Sequence, residues 1–271
     1  MFYHKISPFI VRISHDFGIR WYGLIYVLGF ILVYAVLRSL ARKNRIKNLT
    51  EERVDILILY LIVGDIIGAR LFHVFVFEFS YYKGHLLDIF KIWQGGLSFH
   101  GALVGTIVVT WYFCRKYRIK FYDIADAIVF PVAIALALGR IANFINSELY
   151  GKITSLPWCV DYSQNPYLAN PPDGCRHPSQ LYESLKNFFI FGILYSFKRM
   201  KKEYPSGFFF WLFVTLYGVL RFFITFTRDE PPIFGTGIAE AQWLSLLMAI
   251  VGGIFLFKIL GKTGKKSGTA G

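Results

Sequence analysis

The stretch ADAIVFPVAIALALGRIANFINSELYG, residues 125–151, decides what kind of protein this chain is. Residues 125–138 are almost all apolar, so Arg140 lies at the end of a segment typical of a membrane-spanning helix. A charged side chain there costs about 2.5 kcal/mol or more, and such residues usually face a polar cavity. Arg70 and Arg221 also lie inside apolar stretches. Three such cations predict a site for an anion.

The composition is that of a helical membrane protein. Of 271 residues, 55% are hydrophobic and 19% aromatic, and the mean hydropathy is +0.46. We predict an all-α integral membrane protein, a single domain over residues 1–271, whose seven transmembrane helices each have roughly the 20 residues that cross a bilayer. The predicted helices are 21–40, 54–77, 97–114, 122–145, 181–199, 207–227 and 241–260.

The basic residues predict the topology. Eighteen of the 30 lysines and arginines lie at every second connection between these helices and in the C-terminal tail. The groups are Arg38–Arg53, Arg115–Lys120, Lys198–Lys202 and Lys258–Lys266. The positive-inside rule then places the N-terminus outside and the C-terminus in the cytoplasm. The net charge of +13 therefore indicates topology and contact with anionic lipid, and no nucleic acid partner is expected.

The N-terminal segment, residues 1–20, lacks the uninterrupted apolar core of a cleavable signal peptide. We expect it to lie at the membrane surface as a short amphipathic helix. The apolar side of that helix would be formed by Phe9, Ile10, Ile13 and Phe17.

The outer loop region, residues 146–180, contains Cys159 and Cys175. A disulfide between them suits an oxidising exterior, and two free thiols are the alternative. The chain has no C-x-x-C or H-E-x-x-H spacing, so no metal is expected.

The predicted topology brings polar residues to one depth. At 1.5 Å per residue, Arg70, Arg140 and Arg221 lie about 24, 27 and 21 Å along helices that run outward. His100 and Tyr22 lie near the outer starts of their helices. All five side chains are therefore expected in the outer half of the bilayer.

His100 stands among four glycines, in GGLSFHGALVG over residues 95–105. A histidine at a helix start is by itself most simply an inert hydrogen-bonding residue. With three arginines at the same depth we interpret it as functional. Gly101 and Gly105, spaced G-x-x-x-G, also predict close packing between helices.

The residues after Arg140 extend its polar face. Asn143 and Asn146 follow at i+3 and i+6, and their amides can hold the arginine or a substrate oxygen. Glu148 can pair with an arginine, and an interfacial salt bridge without chemistry is the alternative.

Three further positions allow ordinary structural explanations. Arg70 has Asp65 nearby in sequence, and an Arg–Asp pair would neutralise its charge. For Arg228, at the outer interface, a snorkelling side chain is the ordinary explanation. In the segment that opens the fifth helix, Ser179 can cap the helix and Glu183 can lie near its positive end.

These blocks together resemble the bacterial prolipoprotein diacylglyceryl transferase family. Residues 139–151 resemble the signature G-R-x-[GA]-N-F-x-N-x-E-x-x-G along its whole length. The other matching blocks, in family order, are Arg20–Leu24, Gly68–Arg70, Ser98–Gly101, His177–Glu183 and Tyr217–Phe222. Two positions depart from the family pattern: Ala102 replaces a glycine, and Thr225 replaces the glutamate of R-F-x-x-E-x-x-R.

The resemblance implies a reaction. The family moves the sn-1,2-diacylglyceryl group of phosphatidylglycerol to the lipobox cysteine of a prolipoprotein and releases glycerol 1-phosphate. It implies a monomeric multi-pass enzyme of the bacterial cytoplasmic (inner) membrane with no cofactor. A non-catalytic or transport-type protein that binds anionic lipids is the alternative.

The expected catalytic residues are Arg140 and Arg221, as a phosphate clamp, and His100 as the base. Fixed cations are suited to the leaving phosphate because its negative charge grows during the reaction. The expected substrate-binding residues are Tyr22, Arg70, Asn143, Asn146, Glu148 and Gly151.

Overall fold

The computed structural model describes residues 1–13, 18–200, 204–233 and 237–267. The chain divides into two compact units. One contains Met1–Val33 and Ala125–Gly271, and the other contains Tyr34–Ile124.

In this described part of the chain there are eight α-helices, and each predicted apolar stretch overlaps a long one. They are α1 (Trp21–Arg42), α2 (Glu51–Phe72), α3 (Phe79–Tyr82), α4 (Phe99–Tyr117), α5 (Phe121–Ile145), α6 (Ser179–Met200), α7 (Phe208–Thr225) and α8 (Glu240–Ser267). A π-helical turn, His73–Phe77, continues α2, and 3-10 turns cover Leu86–Phe90 and Ile92–Gln94.

Among the described residues, four helices are long and apolar enough to cross a membrane: α1, α5, α7 and, up to Gly261, α8. The helices α2, α4 and α6 carry more polar side chains along their length. That they also span the membrane stays a prediction.

In the unit Tyr34–Ile124, α2 and α4 pack backbone against backbone. A Cβ atom added to Gly68 would overlap the carbonyl oxygen of Gly101, and one added to Gly105 would overlap that of Gly64. Only glycine allows this approach. The helix packing predicted from the G-x-x-x-G spacing is therefore confirmed.

In the other unit, α5, α6 and α7 share an apolar core. It is formed by Val129, Phe130, Ile190, Leu194, Phe208 and Leu212. Beside it, the Asp126 carboxylate of α5 accepts hydrogen bonds from the backbone N–H groups of Gly207 and Phe210, both at 2.7 Å. Within a helix, the first N–H groups find no acceptor in the helix itself, so Asp126 of α5 caps the start of α7.

Short strands and a disulfide order the outer loop region. Strand β1 (Phe2–Tyr3) pairs in parallel with β4 (Val160–Asp161), which pairs antiparallel with β5 (Cys175–Arg176). Cys159 and Cys175 form a disulfide with a Cα–Cα distance of 5.5 Å. The expected disulfide is therefore confirmed.

The expectation of an amphipathic helix before α1 is wrong for the described residues. Strand β2 (Phe9–Arg12) pairs antiparallel with β3 (Gly18–Arg20). Pro8 precedes β2, which contains the β-branched Ile10 and Val11, and such residues favour extended backbone. Phe17 lies outside the described residues. The last pair of strands is β6 (Pro232–Ile233) and β7 (Ile238–Ala239).

Candidate functional site

Glu183 of α6 is the common partner of three cations. Its side chain is 0% exposed, and that of Lys186, one turn later on α6, is 1% exposed. The Lys186 Nζ lies 2.8 Å from Glu183 Oε2, and the Arg221 guanidinium donates to Oε1. Arg140 Nε lies 3.9 Å from Oε2. The structure thus brings Arg140 and Arg221, from α5 and α7, to one carboxylate.

Arg140 is also linked to the polar residues that follow it. Its Nη1 donates to Asn143 Oδ1 at 3.3 Å, and Asn143 Nδ2 donates to Glu148 Oε1 at 2.8 Å. Asn146 Nδ2 donates to the same carboxylate oxygen at 3.2 Å. Glu148 therefore orients two amides, and Asn143 connects it to Arg140. Among the described residues, no donor lies within hydrogen-bond distance of the buried Asn146 Oδ1.

The turn that contains Glu148 has a strained backbone that is stabilised by hydrogen bonds to Ser147. Ser147 and Leu149 have positive φ angles of 59° and 58°, which are costly for residues other than glycine. The Ser147 hydroxyl lies 3.0 Å from His4 Nδ1 and accepts a 2.7 Å hydrogen bond from Asn165. Burial lowers the pKa of His4, which favours its neutral form in this cluster.

Gly151 joins this turn to the segment that follows α7. It forms a β-bridge with Arg228, and its N–H donates to His177 O at 2.9 Å. A Cβ atom at Gly151 would overlap the carbonyl oxygen of Thr227 and lie 2.7 Å from His177 Cβ. The contacts favour a positioning role for Gly151 over the expected substrate contact.

We expect Gly151→Ala to lower the stability of the protein by about 1–3 kcal/mol, the usual cost of overpacking, because main chain surrounds the added methyl group. The measurement is unfolding in a single detergent. Gly192→Ala on α6 is the control, since a Cβ there meets no atom within 4 Å. Equal stability of the two variants would contradict this packing.

Arg228 is buried and belongs, through Glu230, to the cluster of basic side chains formed by Arg140, Lys186 and Arg221 around Glu183. It is 6% exposed, so the expectation that its side chain snorkels to the membrane surface is wrong. Its Nε lies 2.5 Å from Glu230 Oε1, and Arg221 Nη2 lies 3.6 Å from the same oxygen. In the part of the chain that the structure describes, the buried Nη1 of Arg228 has no hydrogen-bond acceptor. Burial and the neighbouring Arg221 charge lower the pKa of Arg228.

The start of α6 is tied to the Glu148 turn. The Ser179 hydroxyl donates to Leu149 O at 2.9 Å, and Gln180 Nε2 donates to Glu148 O at 2.6 Å. Ser179 holds the neighbouring turn, and it is the first residue inside α6 with Pro178 at the cap position, so the expectation that Ser179 caps the helix is wrong. These bonds fix α6, and with it Glu183, against the residues that surround Arg140.

Arg70, in the unit Tyr34–Ile124, is surrounded by main-chain oxygens. Its Nε donates to Ile89 O at 2.8 Å. The other four N–H groups are directed at the carbonyls of Asp88, Lys91, Gly95 and Gly96, at 2.5–3.5 Å. A guanidinium has five N–H donors, so none is left for a substrate oxygen. The contacts favour a structural role over the expected substrate contact or pair with Asp65.

We expect Arg70→Lys to loosen residues 86–96, because a lysine cannot replace five donors in a fixed planar geometry. Hydrogen exchange of these backbone amides should accelerate by about tenfold or more, as expected when hydrogen bonds to a charged group are lost. Arg115→Lys, at the end of α4, is the control. Unchanged exchange in residues 86–96 would show that Arg70 does not order them.

The remaining expected site residues lie at helix starts. His100 is an exposed residue in the first turn of α4, after Ser98, whose hydroxyl caps that helix at Gly101 N. Its ring lies beside that of Phe72, with centroids 6.2 Å apart. Tyr22 is the second residue of α1 and is also exposed. Both side chains are therefore accessible.

Sequence reasoning missed Lys186 and Glu230 and gave Glu183 only a capping role. Lys186 had a usable signal, since it lies three residues after an acid inside an apolar helix. Glu230 had none, because its contacts depend on how the chain leaves α7.

The apolar helices define a helical membrane protein, with a buried cluster of basic side chains around Glu183 between α5, α6 and α7. Comparison with known sequences is consistent with this class. The chain belongs to the prolipoprotein diacylglyceryl transferase family, whose model matches residues 8–258.

Three relatives are each named phosphatidylglycerol–prolipoprotein diacylglyceryl transferase. That of Bordetella parapertussis is 38% identical over 261 residues, 94% of this chain and 96% of the relative. That of Geobacter sulfurreducens is 38% identical over 93% of this chain and 95% of the relative. That of Buchnera aphidicola is 37% identical over 95% of this chain and 98% of the relative.

Proposed function

We propose that this chain transfers the sn-1,2-diacylglyceryl group of phosphatidylglycerol to the lipobox cysteine of a prolipoprotein and releases glycerol 1-phosphate. Family membership and the names of its relatives support this reaction. The observation that carries it in the structure is the convergence of Arg140 and Arg221 on Glu183.

The charge of the cluster fits this chemistry. It contains four cations, Arg140, Lys186, Arg221 and Arg228, and two carboxylates, Glu183 and Glu230. The excess charge is positive by two. A phosphodiester carries one negative charge, and a phosphate monoester carries about 1.5 to 2 near pH 7. The cluster therefore stabilises the leaving group more than the bound lipid, which is what lowers a barrier.

The reaction is a substitution at carbon. The cysteine sulfur forms a bond to the glyceryl carbon that carries the phosphate oxygen. The bond between that carbon and oxygen breaks, and the electron pair leaves on glycerol 1-phosphate. The thiol proton must be removed, because the thiolate is the nucleophile.

His100 is the proposed base for that proton. Its exposed ring, in the first turn of α4, is accessible to a substrate thiol. Arg140 and Arg221 are the proposed phosphate clamp, since each guanidinium offers paired donors.

The other site residues are assigned supporting roles. Asn143 and Asn146, oriented by Glu148, hold a substrate oxygen, and Asn143 also holds Arg140. Tyr22 contacts substrate from the start of α1. Gly151 sets the path of the segment that carries Arg228.

We further propose that α1, α2 and α4–α8 all span the bacterial cytoplasmic membrane in a monomer, with the N-terminus outside. The alternation of basic connections supports this orientation. The Cys159–Cys175 disulfide supports an oxidising exterior for the outer loop region.

The test gives the purified protein labelled phosphatidylglycerol and a peptide that contains a lipobox cysteine. We expect the peptide to gain the mass of a diacylglyceryl group while glycerol 1-phosphate appears in equal amount. A peptide with serine in place of that cysteine should gain no mass, and His100→Ala should abolish transfer. Lipid binding without transfer would instead favour a protein that binds anionic lipids.

A further inference from the structure

We propose that Glu230 is an internal counter-ion of Arg221 and Arg228 that the phosphate group displaces when it binds to the proposed clamp, with Arg228 as a further donor. This inference rests on the proposed function. The side chain of Glu230 would then determine the affinity of the enzyme for its product, glycerol 1-phosphate.

The geometry is that of a carboxylate in a phosphate position. One oxygen of Glu230 lies 2.5 Å from Arg228 Nε and 3.6 Å from Arg221 Nη2. Guanidinium groups bind both carboxylate and phosphate oxygens through charge-assisted hydrogen bonds, so a phosphate can take the place of this carboxylate. The buried Nη1 of Arg228, which meets no acceptor among the described residues, adds a donor that Glu230 does not satisfy. A phosphate has more acceptor oxygens and can use it.

The two carboxylates of the cluster differ in freedom. Glu183 lies inside α6, is fully buried and serves three cations. Glu230 lies between α7 and β6, and its side chain is 24% exposed. The backbone on either side is held by the Gly151–Arg228 bridge and by β6. Glu230 can therefore leave by rotation of its side chain alone.

Position 225, close to Arg221 in the sequence, does not provide a carboxylate that could act as the counter-ion in place of Glu230. Thr225, one turn after Arg221, stands where the resemblance leads one to expect glutamate. Its hydroxyl donates to Arg221 O at 2.8 Å, so it supplies no negative charge to the guanidinium. Glu230 is the carboxylate that Arg221 and Arg228 share in this chain.

A displaceable counter-ion has a measurable consequence. While it is bound, Glu230 competes with any incoming anion for the same donors. Removing its charge must strengthen anion binding, whereas a purely structural clamp for Arg228 would have the opposite effect when removed. The sign of the change therefore separates the two roles.

The experiment compares wild-type protein with Glu230→Gln in one detergent. Binding of sn-glycerol 1-phosphate is measured by calorimetry, and its inhibition of diacylglyceryl transfer is measured in parallel. We expect about tenfold tighter binding and inhibition in Glu230→Gln, in keeping with the loss of one competing charge-assisted hydrogen bond. The KM for phosphatidylglycerol should fall as well.

The matched control is Asp229→Asn, which removes the adjacent carboxylate. Asp229 pairs with Arg176 at 2.9 Å, and we expect unchanged binding of sn-glycerol 1-phosphate. Glu230→Asp keeps the charge on a shorter side chain and should bind more tightly than wild type but less tightly than Glu230→Gln. It also replaces Glu230→Gln as the test if that variant does not fold.

Unchanged or weaker binding in Glu230→Gln, or in Glu230→Asp as its substitute, would overturn the inference. Calorimetry needs no turnover. If the wild type transfers nothing, the proposed function fails, while the binding comparison still decides the role of Glu230.

Discussion

Glu183→Gln is expected to lower the stability of the protein by about 3–5 kcal/mol, the usual cost of removing one partner of a buried ion pair. Lys186, 1% exposed, would keep its charge without a counter-ion, and Arg221 would lose its partner in α6. The measurement is the unfolding of wild type and variant in the same detergent. Transfer should fall with stability, because Glu183 also positions Arg140 and Arg221.

The double variant Glu183→Gln, Lys186→Met separates these two effects. It replaces the buried pair with neutral side chains, which usually restores most of the lost stability. Transfer should nevertheless stay low, since neither arginine regains its carboxylate. A Glu183→Gln protein that unfolds like the wild type would contradict the central place of this residue.

Arg140→Lys and Arg221→Lys are expected to reduce transfer at least about 10²-fold each, comparable to the loss of one donor that stabilises developing negative charge. Lysine keeps the charge and can still pair with Glu183, so stability should change little. It lacks the planar, paired donors with which a guanidinium binds a phosphate bidentately. Initial rates of peptide modification measure the effect.

Arg199→Lys, near the exposed end of α6, is the matched control and should transfer at the wild-type rate. If Arg221→Lys also retains that rate, the guanidinium is not part of the clamp. Because Arg140 and Arg221 share one carboxylate, the double variant should lose less than the product of the two single losses.

The proximity of two site residues could be predicted from the sequence when both lie on the same helix. Arg140 and Asn143 lie one turn apart on α5, and the structure joins them by a hydrogen bond. The convergence of Arg140 and Arg221 followed from their similar depth in neighbouring helices. The glycine contact between α2 and α4 followed from the spacing of small residues.

The remaining features depend on the path of the chain outside the helices. The partners of Arg70 are main-chain oxygens of residues 88–96, which no pattern of side chains specifies. The burial of Arg228 depends on its bridge to Gly151, 77 positions earlier in the sequence. The β-branched residues between Phe9 and Ile13 favour a strand over the expected helix, and the pairing of β2 with β3 completes it.

The glycine contact between α2 and α4 has a mechanical consequence. Because the two backbones touch, sliding one helix along the other would make main-chain atoms overlap. We therefore expect α2 and α4 to move together as one unit. His100 lies at the start of α4, next to the residues 86–96 that Arg70 holds by hydrogen bonds. A movement of this helix pair would therefore carry the backbone of His100 with it. For the base proposed above, this means that the position of the imidazole depends on how the two helices pack together.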